Sequence, residues 1–283
     1  LSGMLNVPIT ETLGFRVAGA WTKRDGFDYN EFTDNRVNGR DLWSTRATVQ
    51  WEPSDRFRAS VIWQHFEEND NRSRTGKQLC TTDPGLDKVG DVAVTDPLMR
   101  GKLSQGCRPG SLYDDAAYGA PNGYSLVFLT TPADISLGFL PDPSIPFGHG
   151  DEVKVIKPGD PFAGVKQSRN LREISANIDP VFRAKNDVVQ FNMDFDVADG
   201  LKLVSQTAYA RDRFYSMQDY NRFVTNPLFN DSTQELVNVI GFPMDTVNFP
   251  GPTPGGIYCD PQLGCSDRMV SADISRSRNR QWS

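Results

Sequence analysis

Histidine is nearly absent from this 283-residue chain, which has only His65 and His149, and no Cys-x-x-Cys pair occurs. The four cysteines are thus not spaced as zinc ligands and both histidines lie elsewhere, which disfavours a zinc site. No Gly-x-Ser-x-Gly elbow and no glycine-rich phosphate loop is present. Glu67 and Glu68 are adjacent, so in an extended chain they point to opposite faces and cannot act as an acid–base pair. Neither enzyme chemistry nor a cofactor is expected. Blocks of lysine and arginine are missing too, and the formal net charge is -6, which leaves no footprint for nucleic acid. No run approaches the ~18–20 apolar residues of a membrane helix. A membrane β-barrel escapes that test, because only alternate strand residues face lipid. A signal segment is absent, but the chain opens Leu1-Ser2-Gly3-Met4 and reads as a mature or internal segment, so its export stays open.

What is present is a rhythm. Short turns fall at Thr10-Glu11-Thr12, Glu52-Pro53-Ser54-Asp55 and Ala198-Asp199-Gly200, and long connections at 25–41, 67–187 and 212–277. Strands are expected near 5–9, 13–24, 42–51, 57–66, 188–197, 201–211 and 279–283. Trp43, Thr45, Ala47, Val49 and Trp51 alternate with Ser44, Arg46, Thr48 and Gln50, so one face is apolar and the other polar. Tryptophan caps both ends of that apolar face. The spacing is ~26 Å along the strand, or ~20 Å of depth at a tilt of ~40°, near the ~25 Å apolar band between two aromatic girdles. Val189, Phe191, Met193, Phe195 and Val197 alternate with Gln190, Asn192, Asp194 and Asp196, whose carboxylates require a wet face.

The fold class expected is all-β: an antiparallel transmembrane β-barrel, here an incomplete set of about seven strands with long extracellular loops. An odd, unfinished set cannot close, and an open edge is not tolerated in hydrocarbon, so the chain reads as part of a barrel over 1–283. A soluble β-sandwich also alternates. It leaves the tryptophan pair unexplained and needs a structureless connection of ~120 residues, which compact domains rarely contain.

Cys80 and Cys107 lie in one long connection, Cys259 and Cys265 in another. Three connectivities are open, of which local pairing is the simplest, beside four unpaired thiols. Disulfides would place these loops in an oxidising compartment.

The run Val17-Ala18-Gly19 through Lys23-Arg24-Asp25-Gly26-Phe27, followed by Asn38-Gly39-Arg40-Asp41-Leu42-Trp43-Ser44-Thr45-Arg46, resembles TonB-dependent outer-membrane receptors. Trp51-Glu52-Pro53-Ser54-Asp55-Arg56-Phe57 is similar to the periplasmic turn of that family. The tract from Asp199 to Tyr209 and the final Arg280-Gln281-Trp282-Ser283 resemble its strands. The likeness covers the strand regions well and the long loops loosely. It implies a bacterial outer-membrane barrel of about 22 strands with a plug domain and a TonB box, neither of which these residues show. It further implies contact with outer-membrane lipid and coupling to the TonB energy complex through a missing N-terminal region. The cargo implied is a scarce nutrient: a ferric siderophore, a vitamin B12-like compound or a glycan. A non-transport surface barrel, adhesin or passive porin, is the alternative class, with a soluble secreted β-protein behind it.

In a barrel, Arg16, Arg24, Arg46 and Arg58, with Asp194, Asp196 and Lys202, would line the lumen. They would contact an anionic substrate or the plug, or simply solvate the wall through cross-strand ion pairs worth ~0.2–1 kcal/mol each. The carboxylates and amides of 25–35 invite a calcium reading, but lack the EF-hand order. Tyr113, Tyr118, Tyr124, Phe128, Phe139, Phe147 and Phe162 would either stack on a flat ligand or form a small loop core. Ligand capture is expected in the loops.

Overall fold

A computed structural model describes residues 1–125, 160–219, 222–227 and 258–283. These residues are mostly antiparallel β. No helix among them is long and apolar enough to cross a membrane. The chain divides into two compact units, one of Leu1–Gly76, Ile178–Tyr220 and Ala272–Ser283, the other of Lys77–Asn177 and Asn221–Ser271.

The first unit is built on one seven-stranded sheet in chain order. Its strands are β1 (Ser2–Pro8), β2 (Leu13–Arg24), β3 (Arg40–Ser54), β4 (Phe57–Asp70), β5 (Val181–Ala198), β6 (Leu201–Asp219) and β7 (Ala272–Trp282). Every neighbouring pair is antiparallel. The short turns close tightly: the amides of Ile9 and Thr10 donate to the Leu13 carbonyl at 2.8 and 3.1 Å. At the third turn Gly200 takes φ +80°, where a side chain would be strained. Register shifts at Trp51/Ser54 and Asp196/Ala198 accompany two of these turns, as bulges do at strand ends. Among the described residues β1 and β7 are the edges, and the sheet is not closed.

Several strands are longer than the alternation predicts. The expected strands 57–66, 188–197, 201–211 and 279–283 are in fact Phe57–Asp70, Val181–Ala198, Leu201–Asp219 and Ala272–Trp282. The loops expected over 67–187 and 212–277 shrink at both ends accordingly. The reason is chemical. Beyond the apolar band the same face carries Glu67, Lys185, Arg213 and Arg278 in successive register, so the hydrophobic signal stops while the hydrogen-bond ladder continues. The connection 25–41 is also ordered, as a hairpin of Asp28–Asn30 against Asn35–Val37. Val37 is fully buried, and its backbone lies so close to Gly26 that a β-carbon there would clash.

The second unit has its own small core. Cys80, Ala120, Phe162, Phe223 and Met269 are buried together, with Val165 packed against them. The structure pairs Cys80 with Cys107 at 2.06 Å and Cys259 with Cys265 at 2.03 Å. With a sequence separation of 27, the first bridge removes about 3–4 kcal/mol of unfolded-chain entropy on the chain-entropy view. A short ladder joins Thr81–Thr82 to Cys107–Arg108, and Pro97–Lys102 is helical. The connection over 67–187 is therefore not structureless, and its length does not weigh against a soluble sheet. The character of the sheet's faces has to decide that question.

Candidate functional site

Side chains opposite one another across an antiparallel ladder share a face, so the register assigns every strand residue. One row runs through all seven strands as Leu5, Val17, Ala47, Trp63, Val189, Tyr209 and Trp282. The next on that face is Val7, Phe15, Val49, Val61, Phe191 and Thr207. Leu13, Trp51, Ala59, Met193 and Ser205 follow, then Phe57, Phe195 and Leu203. On β6, Leu203, Ser205, Thr207 and Tyr209 thus lie on the apolar face, while Leu201 falls beyond the register shift opposite Ala198. The four rows narrow from seven strands to three, so about four spacings of ~4.8 Å on average by ~20 Å of strand give roughly 400 Å² of sheet plane. That lies within the ~300–600 Å² range for the largest apolar patch of a soluble monomer, so the end aromatics and the two unlike faces carry the distinction.

These side chains are open. Trp21, Trp43, Trp51 and Trp63 keep 48, 41, 47 and 41% of their surface, and Val61, Val189 and Phe191 are equally exposed. Aromatic groups collect at both ends of the band. Trp51, Phe57 and Phe195 meet edge to face at 5.4 and 5.8 Å at the short-turn end. Tyr209 lies 4.6 Å from Trp282 at the other. Also at that end, His65 is buried between Trp43 at 4.5 Å and Trp63 at 6.0 Å. Its Nδ1 is 2.6 Å from Asp187 Oδ1, and its Nε2 is 3.5 Å from Glu67 Oε2, which also receives Lys185 Nζ at 3.3 Å. The two carboxylates that flank His65 are brought to it by the strand register.

The opposite face is predominantly polar, with Ile62, Phe66, Val188 and Val204 among it, and it carries the predicted lumen set. Arg16 stands opposite Asn6 and Thr48, and Arg46 opposite Ala18 and Gln64. The two arginines are therefore diagonal neighbours. Both are exposed, and neither has a carboxylate partner among the described residues. Arg16 Nη2 reaches the Met4 sulfur at 3.0 Å. A groove lined by Asn6, Gly14, Arg16, Ala18, Arg46 and Thr48 runs over them. Arg58 and Asp194, by contrast, are neutralised: Arg58 pairs with Glu52 at 2.7 Å and Asp194 with Lys202 at 3.0 Å. Asp196 faces Lys202 in register and is exposed. Arg24 donates to the Asn38 carbonyl at 3.4 Å and lies 5.1 Å from the Phe27 ring centre. Between the charged groups the wall is held by amides and hydroxyls, Gln190 to Asn192 at 2.7 Å and Asn192 to Ser60 at 3.1 Å.

The acidic loop over 25–35 spends its polar groups on partners within the first unit. Asp179 accepts from Asn30 at 3.0 Å, Thr33 at 2.6 Å and Asn35 at 2.7 Å. Asp28 accepts from Asn38 Nδ2 at 2.5 Å. Tyr29 donates to Asp34, and that bond to a carboxylate is the first cause holding its phenol above the ordinary range. No cluster of three metal-ligating residues occurs among the described residues.

The loop aromatics divide. Tyr118 and Phe162 are buried, and Phe162 lies edge-on to Phe223 at 6.2 Å, so these two are core. Tyr118 further donates its hydroxyl to the Leu112 carbonyl at 2.9 Å. Tyr113 is almost wholly exposed and Tyr124 half-buried. Phe128, Phe139, Phe147 and His149 lie outside the described residues. Asp83 was not singled out by sequence. Its buried carboxylate accepts from the amides of Gln105 at 2.9 Å and Gly85 at 3.1 Å, and from Arg108 at 2.7 Å. Those contacts, the Gln105 amide foremost, hold its pKa below the ordinary carboxylate value.

Compared with known proteins, the chain matches no family model, no curated protein and no solved structure.

Proposed function

We propose that this chain forms part of the wall of a bacterial outer-membrane barrel, of the TonB-dependent receptor class, that takes up a scarce nutrient. The observation that carries this reading is the sheet with two unlike faces. One is an open apolar band flanked by aromatic groups at both ends, and the other is polar, hydrogen-bonded and charged. A soluble protein gains most by covering such a band, whereas lipid solvates it directly. The seven strands joined by short turns at one end and long connections at the other fit the same reading. So do the two disulfides, both in the long connections, since such bridges persist in oxidising compartments. Hydrocarbon does not tolerate unpaired strand edges, so in a membrane β1 and β7 would pair with further strands.

Within the class, transport is supported by the polar face and by the resemblance of the strand-and-turn tracts to TonB-dependent receptors. Arg16 and Arg46 are the wall residues best placed to meet an anionic cargo or a plug, because no carboxylate neutralises them among the described residues. The cargo itself, siderophore, vitamin B12-like compound or glycan, would be captured by the long connections.

The test is uptake. Cells lacking the gene should lose growth on one of these nutrients when it is scarce, and a strain without functional TonB should show the same loss. Unchanged uptake of all three classes would overturn transport and leave the adhesin or passive-porin class.

A further inference from the structure

Above the apolar band, on the same face and at the long-connection end, the sheet changes sign. The row beyond Trp63 and Val189 is His65, Asp187, Arg211 and Arg280. Beyond it lie Glu67, Lys185, Arg213 and Arg278, and then Asn69, Arg183, Tyr215 and Arg276. Three pairs set like charges directly opposite each other: Lys185 with Arg213, Arg213 with Arg278, and Arg211 with Arg280. Like charges in facing positions are destabilising. The two carboxylates of this patch are already engaged by His65 and Lys185. Arg183, Arg211, Arg213, Arg278 and Arg280 have no ion-pair partner among the described residues, and all but Arg211 are exposed. Arg183, Lys185, Arg213, Arg276 and Arg278 line one surface depression together with Glu67 and Glu68, the latter paired with Arg72 at 3.4 Å.

A sheet that repeats an unfavourable pairing three times in one place requires an outside anion to relieve it. The position identifies the anion. The cations begin one row above the aromatic end of an apolar band that fits acyl chains, so a ligand filling both carries a hydrocarbon tail and an anionic head. We infer that this patch binds the phosphate-bearing headgroups of anionic lipid in the leaflet on the long-connection side. Guanidinium forks suit phosphate oxygens bidentately, and basic clusters beside a membrane-facing surface recognise anionic headgroups. The inference rests on the barrel reading above and adds to it a lipid specificity on the outer wall, away from the polar face.

The test uses the intact protein in mild detergent, with native mass spectrometry of bound lipid. Phosphatidylglycerol, phosphatidylcholine and inorganic phosphate are the probes. Phosphatidylglycerol should be retained over phosphatidylcholine, and the preference should fade in high salt. Arg213→Gln/Arg278→Gln should weaken phosphatidylglycerol binding roughly 30-fold, at about 5-fold per cation, while Arg213→Lys/Arg278→Lys keeps most of the preference. Arg56→Gln, in the short turn at the other end of the sheet, should change nothing. Equal retention of both lipids, a preference indifferent to salt, or an equal loss in Arg56→Gln would overturn the inference. So would inorganic phosphate displacing the lipid at equal concentration, which would mark a free-anion site. The salt arm needs no variant and decides the matter if the glutamine variant fails to fold. A protein that binds neither detergent nor lipid would instead refute the barrel reading, and this inference with it.

Discussion

Charge on the polar face is distributed unevenly, residue by residue. Arg58 and Asp194 are ordinary surface ion pairs, each held by a partner, and such exposed pairs contribute ~0–1 kcal/mol. Arg16 and Arg46 are different because nothing acidic answers them among the described residues. Sequence named all four but could not separate them, since partners are set by register. Asp83 shows the same limit more sharply, because its donors come from residues 85, 105 and 108. Its depressed pKa fixes a sign. The ionised form is favoured by folding, so its contribution is complete above the ordinary carboxylate pKa and is lost as pH falls through the lower, folded value. Thermal unfolding of the disulfide-bonded unit should therefore hold steady from about pH 7 to pH 5 and drop below about pH 4. Asp83→Asn should flatten that drop and cost roughly 1.5–3 kcal/mol at neutral pH, typical of hydrogen bonds to a charged group. Melting curves of the two proteins across that range check both expectations.

Alternation carries the strands only as far as the lipid-like band extends. Between Trp43 and Trp51, or Val189 and Val197, every second residue is apolar and the face can be read by eye. Past His65, Val189 and Tyr209 the same face holds Glu67, Lys185, Arg211 and Arg213, and the pattern disappears although pairing continues. This is why β4, β5, β6 and β7 overrun their expected ends, and why the outer cationic rows, from Lys185, Arg213 and Arg278 onward, fall outside the expected strands. The long connections were opaque for another reason. Their small core joins Cys80, Phe162, Phe223 and Met269, residues far apart in the chain with no period among them. Face assignment can be tested on β5. Phe191→Arg should destabilise the lipid-embedded protein by about 2–4 kcal/mol, as a cation near the bilayer midplane does. Gln190→Arg, one residue away on the polar face, should leave it within ~0.5 kcal/mol. Denaturant unfolding from vesicles measures both, and equal costs would mean that neither face meets lipid.

At the scale of the molecule, the first unit is a sheet whose apolar side stands open among the described residues, and the second unit has its own core, which includes the Cys80–Cys107 bridge. An open, flat-faced β-sheet exposing this much apolar surface is an aggregation hazard in water and an ordinary wall in a membrane. The distinction lies in what touches the band. Single nitroxide labels placed in turn from Val188 to Val197 of β5, in the intact protein reconstituted into lipid vesicles, report it directly. A lipid-facing wall predicts oxygen collision rates that alternate residue by residue, high at Val189, Phe191, Met193 and Phe195 and low at Gln190, Asn192 and Asp194, with a water-soluble quencher showing the inverse. Oxygen and quencher profiles that rise and fall together along the strand, with no two-residue period, would contradict it.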